Sequence, residues 1–197
     1  MAQFGPEAFS LRTGTQITLR SCAPHDAHHF ERFVRQATHE TDNALFHFDA
    51  EMSLARVAAS WRRASKTQFE SYLGAFTGSP SAPERMVGQL SFLVPEPEHP
   101  WIKHIGKFGM LILREYWGQG LGTRLLEILD DQTQAARVTR IEASVRTQNT
   151  RALALYEHFG FQIEGTRRQA ALINGKFEDE HLISKVIGSE VGVNAYL

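Results

Sequence analysis

Between Phe108 and Leu126 an apolar run gives way to three glycines at alternate positions, 118, 120 and 122, and then to an amphipathic run. No other stretch restricts the fold as much. Met110 to Leu113 reads as a strand. Leu121, Leu125, Ile128 and Leu129 recur at spacings of four, seven and eight, which places them on one face of a helix. Without Cβ atoms, Gly118, Gly120 and Gly122 let the backbone curl with its amides inward and admit a bulky anion. The first helical turn adds amides that lack intrahelical acceptors, at the positive end of the helix dipole. A strand, loop and helix of this kind are built to hold a phosphate or pyrophosphate.

Spacing separates the known phosphate loops. A Walker loop requires Gly-x-x-x-x-Gly-Lys-Ser/Thr, and no lysine follows any of these glycines. A dinucleotide loop requires Gly-x-Gly-x-x-Gly, whose third glycine would fall on Thr123. Glu142 does lie about where a ribose-binding acid is expected. Against that reading, the loop sits past mid-chain and is followed by an Asn174-Gly175 hairpin signal instead of further parallel units.

A second motif follows one helix and one strand later, in Asn149-Thr150-Arg151-Ala152-Leu153-Ala154-Leu155-Tyr156-Glu157-His158-Phe159-Gly160-Phe161. Together the two segments resemble the Gcn5-related N-acetyltransferases. That family's loop is Gln/Arg-x-x-Gly-x-Gly/Ala and its second motif Asn-x-x-Ala-x-x-x-Tyr-x-x-x-Gly-Phe. Trp117 departs from the loop pattern at its first position, but the phosphate-binding amides do not depend on that side chain. The resemblance is strong over residues 86 to 186 and extends to the N-terminal half in outline.

The resemblance implies an α/β fold: a mixed sheet of about seven strands flanked by helices and splayed between the fourth and fifth, here the central strand and the one at 140 to 145. It implies acetyl-CoA as acetyl donor, with its pantetheine arm in the gap, and no metal. Backbone groups of Leu111, Ile112 and Leu113 would hold the arm, one N–H polarising the thioester carbonyl. Amides of Gly118, Gln119, Gly120, Leu121, Gly122 and Thr123 would take the pyrophosphate, and Asn149 would hydrogen-bond the cofactor. Tyr156 would sit near the sulfur, a phenol able to donate as thiolate leaves. The acceptor implied is a primary amine of a small molecule, acetylated directly in a ternary complex; no activated nucleophile for a covalent route stands out. The Phe159 to Thr166 run with its hairpin looks like the branch that includes small-amine, amino-acid and antibiotic-type enzymes. Two other readings stand beside this one, an acetyltransferase for protein N-termini or peptides and a non-catalytic acetyl-CoA sensor. A homodimer is compatible with the resemblance.

A base would assist attack by an amine that is mostly ammonium at neutral pH. Glu142 on the splayed strand ranks first among the candidates, followed by His104 before the central strand and Glu40 in the acceptor-side loop.

The remaining chain bounds the alternatives. With 197 residues, 42% of them hydrophobic, the chain suffices for one domain with a real core. The balance of 21 basic and 22 acidic residues gives no general attraction to nucleic acid or to an acidic membrane surface. A single cysteine, Cys22, and no signal-peptide pattern or long apolar segment make a reducing cytoplasm the expected compartment. Cys22 reads as a buried or tolerated thiol, and His25, His28 and His29 as surface groups without a third metal ligand.

Residues 1 to 14, with Gly5, Pro6 and Gly14, read as a flexible lead-in, 15 to 187 as the catalytic domain and 188 to 197 as a tail. Ile17 and Leu19 mark a first strand. Pro24 and Asp26 open a helix carrying Phe30, Phe33, Val34 and Ala37, and Leu54, Val57, Ala58 and Trp61 mark a second. The polar and aromatic stretch from Thr38 to Asp49 falls where the family builds part of its acceptor site. Strands at 69 to 76 and 87 to 94, the short helix 151 to 159 and a final hairpin complete the expectation.

Overall fold

Asp26 sets the entry to the first helix: its carboxylate takes two bonds from Arg20 (2.7 and 2.8 Å) and one from the Ala23 amide (2.8 Å). Burial alone would raise its pKa, but these donors win and hold it below the usual carboxylate value. The computed structural model describes residues 4–44, 53–78 and 85–188. Along them run β1 (Glu7–Ser10), β2 (Gln16–Ser21), α1 (Ala27–Glu40), α2 (Leu54–Ala64), β3 (Glu70–Thr77), β4 (Arg85–Leu93) and β5 (Ile105–Ile112). Then follow α3 (Leu121–Ala135), β6 (Arg140–Arg146), α4 (Thr150–His158), β7 (Gln162–Ile173) and β8 (Lys176–Val186).

The strands form one open mixed sheet of eight, ordered β1-β2-β3-β4-β5-β6-β8-β7. Only β5 and β6 pair in parallel. Tyr72 of β3 packs on Trp61 of α2 (6.2 Å between rings), while Ser71 beside it donates to Gln132 of α3 (2.9 Å). Successive strand residues point to opposite faces, so α2 and α3 cover opposite sides of the sheet. Phe30, Phe33, Val34 and Ala37 of α1, and Leu121, Leu125, Ile128 and Leu129 of α3, are buried as their spacing requires. Cys22 is buried too, and burial pushes its thiol pKa up, away from nucleophilic use. Asn174 and Gly175 both have positive φ (50° and 78°), as a two-residue hairpin demands.

The eighth strand is β1, which corrects the reading of residues 1 to 14 as a flexible lead-in. Glu7 to Ser10 pair with Leu19 to Gln16, Leu11 is buried, and Glu7 takes two bonds from Arg124 of α3 (2.9 and 2.8 Å). Gly5, Pro6 and Gly14 hid the strand, and its ion-pair partner lies 117 residues away in sequence. Counting β1, the expected splay between fourth and fifth strands falls between β5 and β6. Phe46 to Asp49 and the Ser79 to Pro83 turn lie outside the described residues. No described helix is long and apolar enough to cross a membrane.

Candidate active site

The site begins where two strands part. β5 and β6 pair only from Ile105 with Arg140 to Lys107 with Glu142, after which β6 stays on β8 as far as Arg146 and β5 stays on β4. The Leu113 amide donates to Val87 of β4 (2.9 Å). Antiparallel pairing alternates, so Leu111 also turns its backbone groups to β4, whereas Met110 and Ile112 turn theirs to the gap. Amides of Thr139 and Arg140 reach the His104 carbonyl (3.0 and 3.2 Å), which fits the same alternation. This refines the expectation for Leu111 to Leu113: only Ile112 of the three presents backbone groups to the opening, and Met110 joins it. The Ile112 carbonyl already accepts from Trp117 Nε1 (2.7 Å). That leaves the Met110 N–H and C=O and the Ile112 N–H facing the gap.

The three glycines of the loop have different reasons to be glycine. Gly118 and Gly120 have φ of +72° and +94°, which side chains rarely tolerate. A Cβ on Gly122 would lie 3.0 Å from Leu155 Cδ2 of α4, so the third glycine permits close packing at the start of α3. The first α3 amide with a helical acceptor is that of Arg124, bonded to the Gly120 carbonyl (3.1 Å). Those of Leu121, Gly122 and Thr123 precede it and are left over by the helix. Gln119 acts as a brace: its side chain accepts from Thr13 (2.6 Å) and donates to the Glu115 carbonyl (2.5 Å).

A cavity of about 240 Å³ lies over this loop, its lining including Arg12, Thr41, Ile112, Gly120, Thr123 and Arg151. A second, of about 310 Å³, includes Ala44, Ser91, Leu93, Lys107, Phe108 and Ser144. Asn43, Met110, Leu111, Asn149 and Tyr156 line both. Asn149 caps α4, its Oδ1 accepting from the Ala152 amide (3.2 Å). Gly160 (φ +84°) ends α4, with the Phe161 amide donating to the Tyr156 carbonyl (3.0 Å). Tyr156 is only 7% exposed. It stands between Phe108 (5.4 Å, edge-on) and Phe161 (5.8 Å), and burial pushes its pKa up to about 12.

The candidate bases are not gathered here. Glu142 belongs to the paired end of β6, where it accepts from Arg140 (2.7 Å), which also bonds Glu164 (2.9 Å). Glu40 accepts from the Arg114 amide (2.8 Å) and from Gln36 (2.6 Å), fastening α1 to the turn after β5. Neither cavity has Glu142, Glu40 or His104 in its described lining. Among the described residues, no three His, Cys, Asp or Glu side chains come together as a metal site. Arg12, Arg151 and Lys107 escaped the sequence reading as site residues, whereas Asn43 belongs to the Thr38 to Asp49 stretch expected near the acceptor. Arg151 lay inside a quoted motif and so carried a signal, whereas Arg12 enters only through the fold.

An open sheet splayed beside a glycine-lined helix start, with one tyrosine reached from both sides, defines an acyltransferase-type architecture. The Acetyltransferase (GNAT) family model matches residues 34–161, and the chain belongs to that family. The L-amino acid N-acetyltransferase AaaT of Escherichia coli is 31% identical over 102 residues, 51% of this chain and 62% of that protein. The N-alpha-acetyltransferase RimI of Mycobacterium tuberculosis is 46% identical over 61 residues, 30% of this chain and 36% of that protein. The matches thus span less than two thirds of these curated relatives. A GNAT acetyltransferase structure from Streptococcus pneumoniae has a TM-score of 0.77 at 27% identity, covering 87% of this chain and 99% of that one. The yncA protein of Salmonella typhimurium, solved with its cofactor acetyl-CoA, shares the fold with a TM-score of 0.74 at 17% identity, covering 91% of this chain and 98% of that one.

Proposed function

We propose that this protein transfers the acetyl group of acetyl-CoA directly to the primary amine of a small carboxylate-bearing molecule, within a ternary complex. The observation that carries this reading is the pair of cavities meeting at Tyr156, Asn149, Asn43, Met110 and Leu111. The residues present fit the cofactor: a strand edge with unused backbone groups lies beside a cradle of two glycines with positive φ.

Acetyl-CoA supplies a thioester whose acyl carbon an amine attacks, forming the N–C bond as the C–S bond breaks. In this reading Met110 and Ile112 pair with the pantetheine arm as a neighbouring strand would. The amides of Gly118 to Thr123 hold the pyrophosphate, with Gln119 also bracing the loop from its side chain. Asn149 spends its Oδ1 on the helix cap and keeps its amide N–H₂ for the cofactor. A Tyr156 phenol raised to about 12 stays protonated across the neutral range, so it donates to the sulfur as negative charge develops there. The described lining of the acceptor cavity holds no acid. In this reading the amine loses its proton to solvent, and Glu142, bonded to Arg140, keeps a structural role.

Lys107 supports the acceptor class. It is a cation in the acceptor cavity's lining, which favours an acceptor with its own carboxylate over polyamines or aminoglycosides. The activity named for AaaT supports the same choice. The test is thiol release from acetyl-CoA with free amino acids, their amides, polyamines, aminoglycosides and short peptides as acceptors. Turnover with amino acids, falling about tenfold or more when the carboxylate is amidated, is expected. Turnover confined to peptides would move the acceptor to protein N-termini, as RimI is named for.

A further inference from the structure

From Trp117 to Gly122 the glycine loop contains no cation, yet a CoA molecule brings a diphosphate and a 3′-phosphate. Two arginines reach the same cavity from outside the loop. Arg12 comes from the turn after β1: its amide donates to the Gln119 carbonyl (3.2 Å) and its Nη1 to the Gly118 carbonyl (3.5 Å). Its segment is held by Thr13 on Gln119 and by Glu7 on Arg124. Arg151 comes from the first turn of α4, packs over Trp117 (5.6 Å) and has Nη1 3.1 Å from where a Cβ on Gly118 would stand.

The neighbouring arginines are already committed, Arg124 to Glu7 and Glu127 and Arg114 to the Glu40 backbone. Among the described residues neither Arg12 nor Arg151 pairs with a carboxylate, and the described lining of the cavity holds no acid. We propose that Arg12 and Arg151 are phosphate ligands of the acetyl-CoA site, closing on the loop from opposite chain segments. The segment after β1 is thereby part of the cofactor site. This rests on the acetyl-CoA reading above.

The experiment measures acetyl-CoA affinity by calorimetry for wild type, Arg12→Ala, Arg12→Lys and Arg151→Ala, with two further donors. S-acetyl-pantetheine lacks every phosphate, and acetyl-3′-dephospho-CoA lacks one. Each alanine variant is expected to weaken acetyl-CoA about tenfold, the loss of one charge-assisted contact. Arg12→Lys should recover part of that loss, and kcat/KM with S-acetyl-pantetheine should stay at its wild-type value. A penalty that vanishes with the dephospho donor assigns the 3′-phosphate; one that persists assigns the diphosphate; both uphold the proposal. Unchanged acetyl-CoA affinity overturns it for the residue concerned, and an equal loss with the phosphate-free donor overturns it in favour of a structural role. A wild-type protein that fails to bind acetyl-CoA overturns the cofactor reading itself, which separates the two failures.

Discussion

Tyr156 occupies a position where packing and the proposed chemistry ask for the same side chain. Phe108 and Phe161 hold the ring, and the burial they impose keeps the phenol protonated. Tyr156→Phe preserves the packing and removes the donor, so kcat should fall about 10²-fold while acetyl-CoA affinity stays within about threefold. Equal turnover in steady-state assays would leave the ring a packing role only. The titrating group differs from the one a carboxylate base would supply. With the phenol near 12 and no acid in the described acceptor lining, kcat/KM should rise with pH along the acceptor amine's own ionisation. Glu142→Gln should leave that profile unmoved; loss of an acidic limb in this variant would restore Glu142 as the base.

At the scale of elements, the strand, loop and helix around Gly120 combine three local demands: left-handed backbone, close approach to α4 and unspent amides. Gly120→Ala separates the first from the others, because the nearest atom to an added Cβ is Phe9 Cζ at 3.8 Å. The cost is then backbone strain, about 1–2 kcal/mol in denaturant unfolding, together with weaker acetyl-CoA binding as the cradle relaxes. These features were legible because each is written within a few residues: glycines at alternate positions, leucines at helical spacing, Asn174-Gly175 in the hairpin. Two others were not. β1 is made by pairing with β2 and by Glu7 reaching Arg124, neither of which local composition records. That Met110, and not Leu111 or Leu113, faces the gap depends on which residues β4 engages, and alternation in sequence does not say which set that is. Arg12 and Lys107 share this property: they are ordinary surface residues until the sheet brings them to a cavity.

For the whole molecule, the splay needs β6 held away from β5 without losing its own support. Arg146 and Glu180, each 8% exposed, join β6 to β8 (2.5 Å), with Arg167 of β7 on the other Glu180 oxygen. At the far edge Arg20 and Asp26 fix the start of α1, the helix whose C-terminal end runs on to Thr41 and Asn43 in the cavity linings. Asp26→Asn should cost about 3 kcal/mol, since it removes the charge from a buried ion pair and turns an NH₂ donor toward the Arg20 and Ala23 donors that Asp26 now satisfies. The native Asp26 pKa is depressed, so its contribution is complete above the unfolded value near 3.9 and is lost as pH falls towards the folded value. Thermal melts between pH 7 and 3 should show wild type losing its advantage over Asp26→Asn below about pH 4. A gap that stays constant with pH would mean the pair contributes through packing alone.

The proposed reaction comes down to one event, an amine in the Lys107 cavity meeting a thioester in the glycine-loop cavity beside Tyr156. Initial-rate thiol release, measured while acetyl-CoA and an amino acid are varied together, tests that meeting most directly. Release that requires the amine and gives intersecting double-reciprocal lines is the expected result. Parallel lines, or thiol release at the same rate without any amine, would contradict direct transfer across the β5/β6 gap.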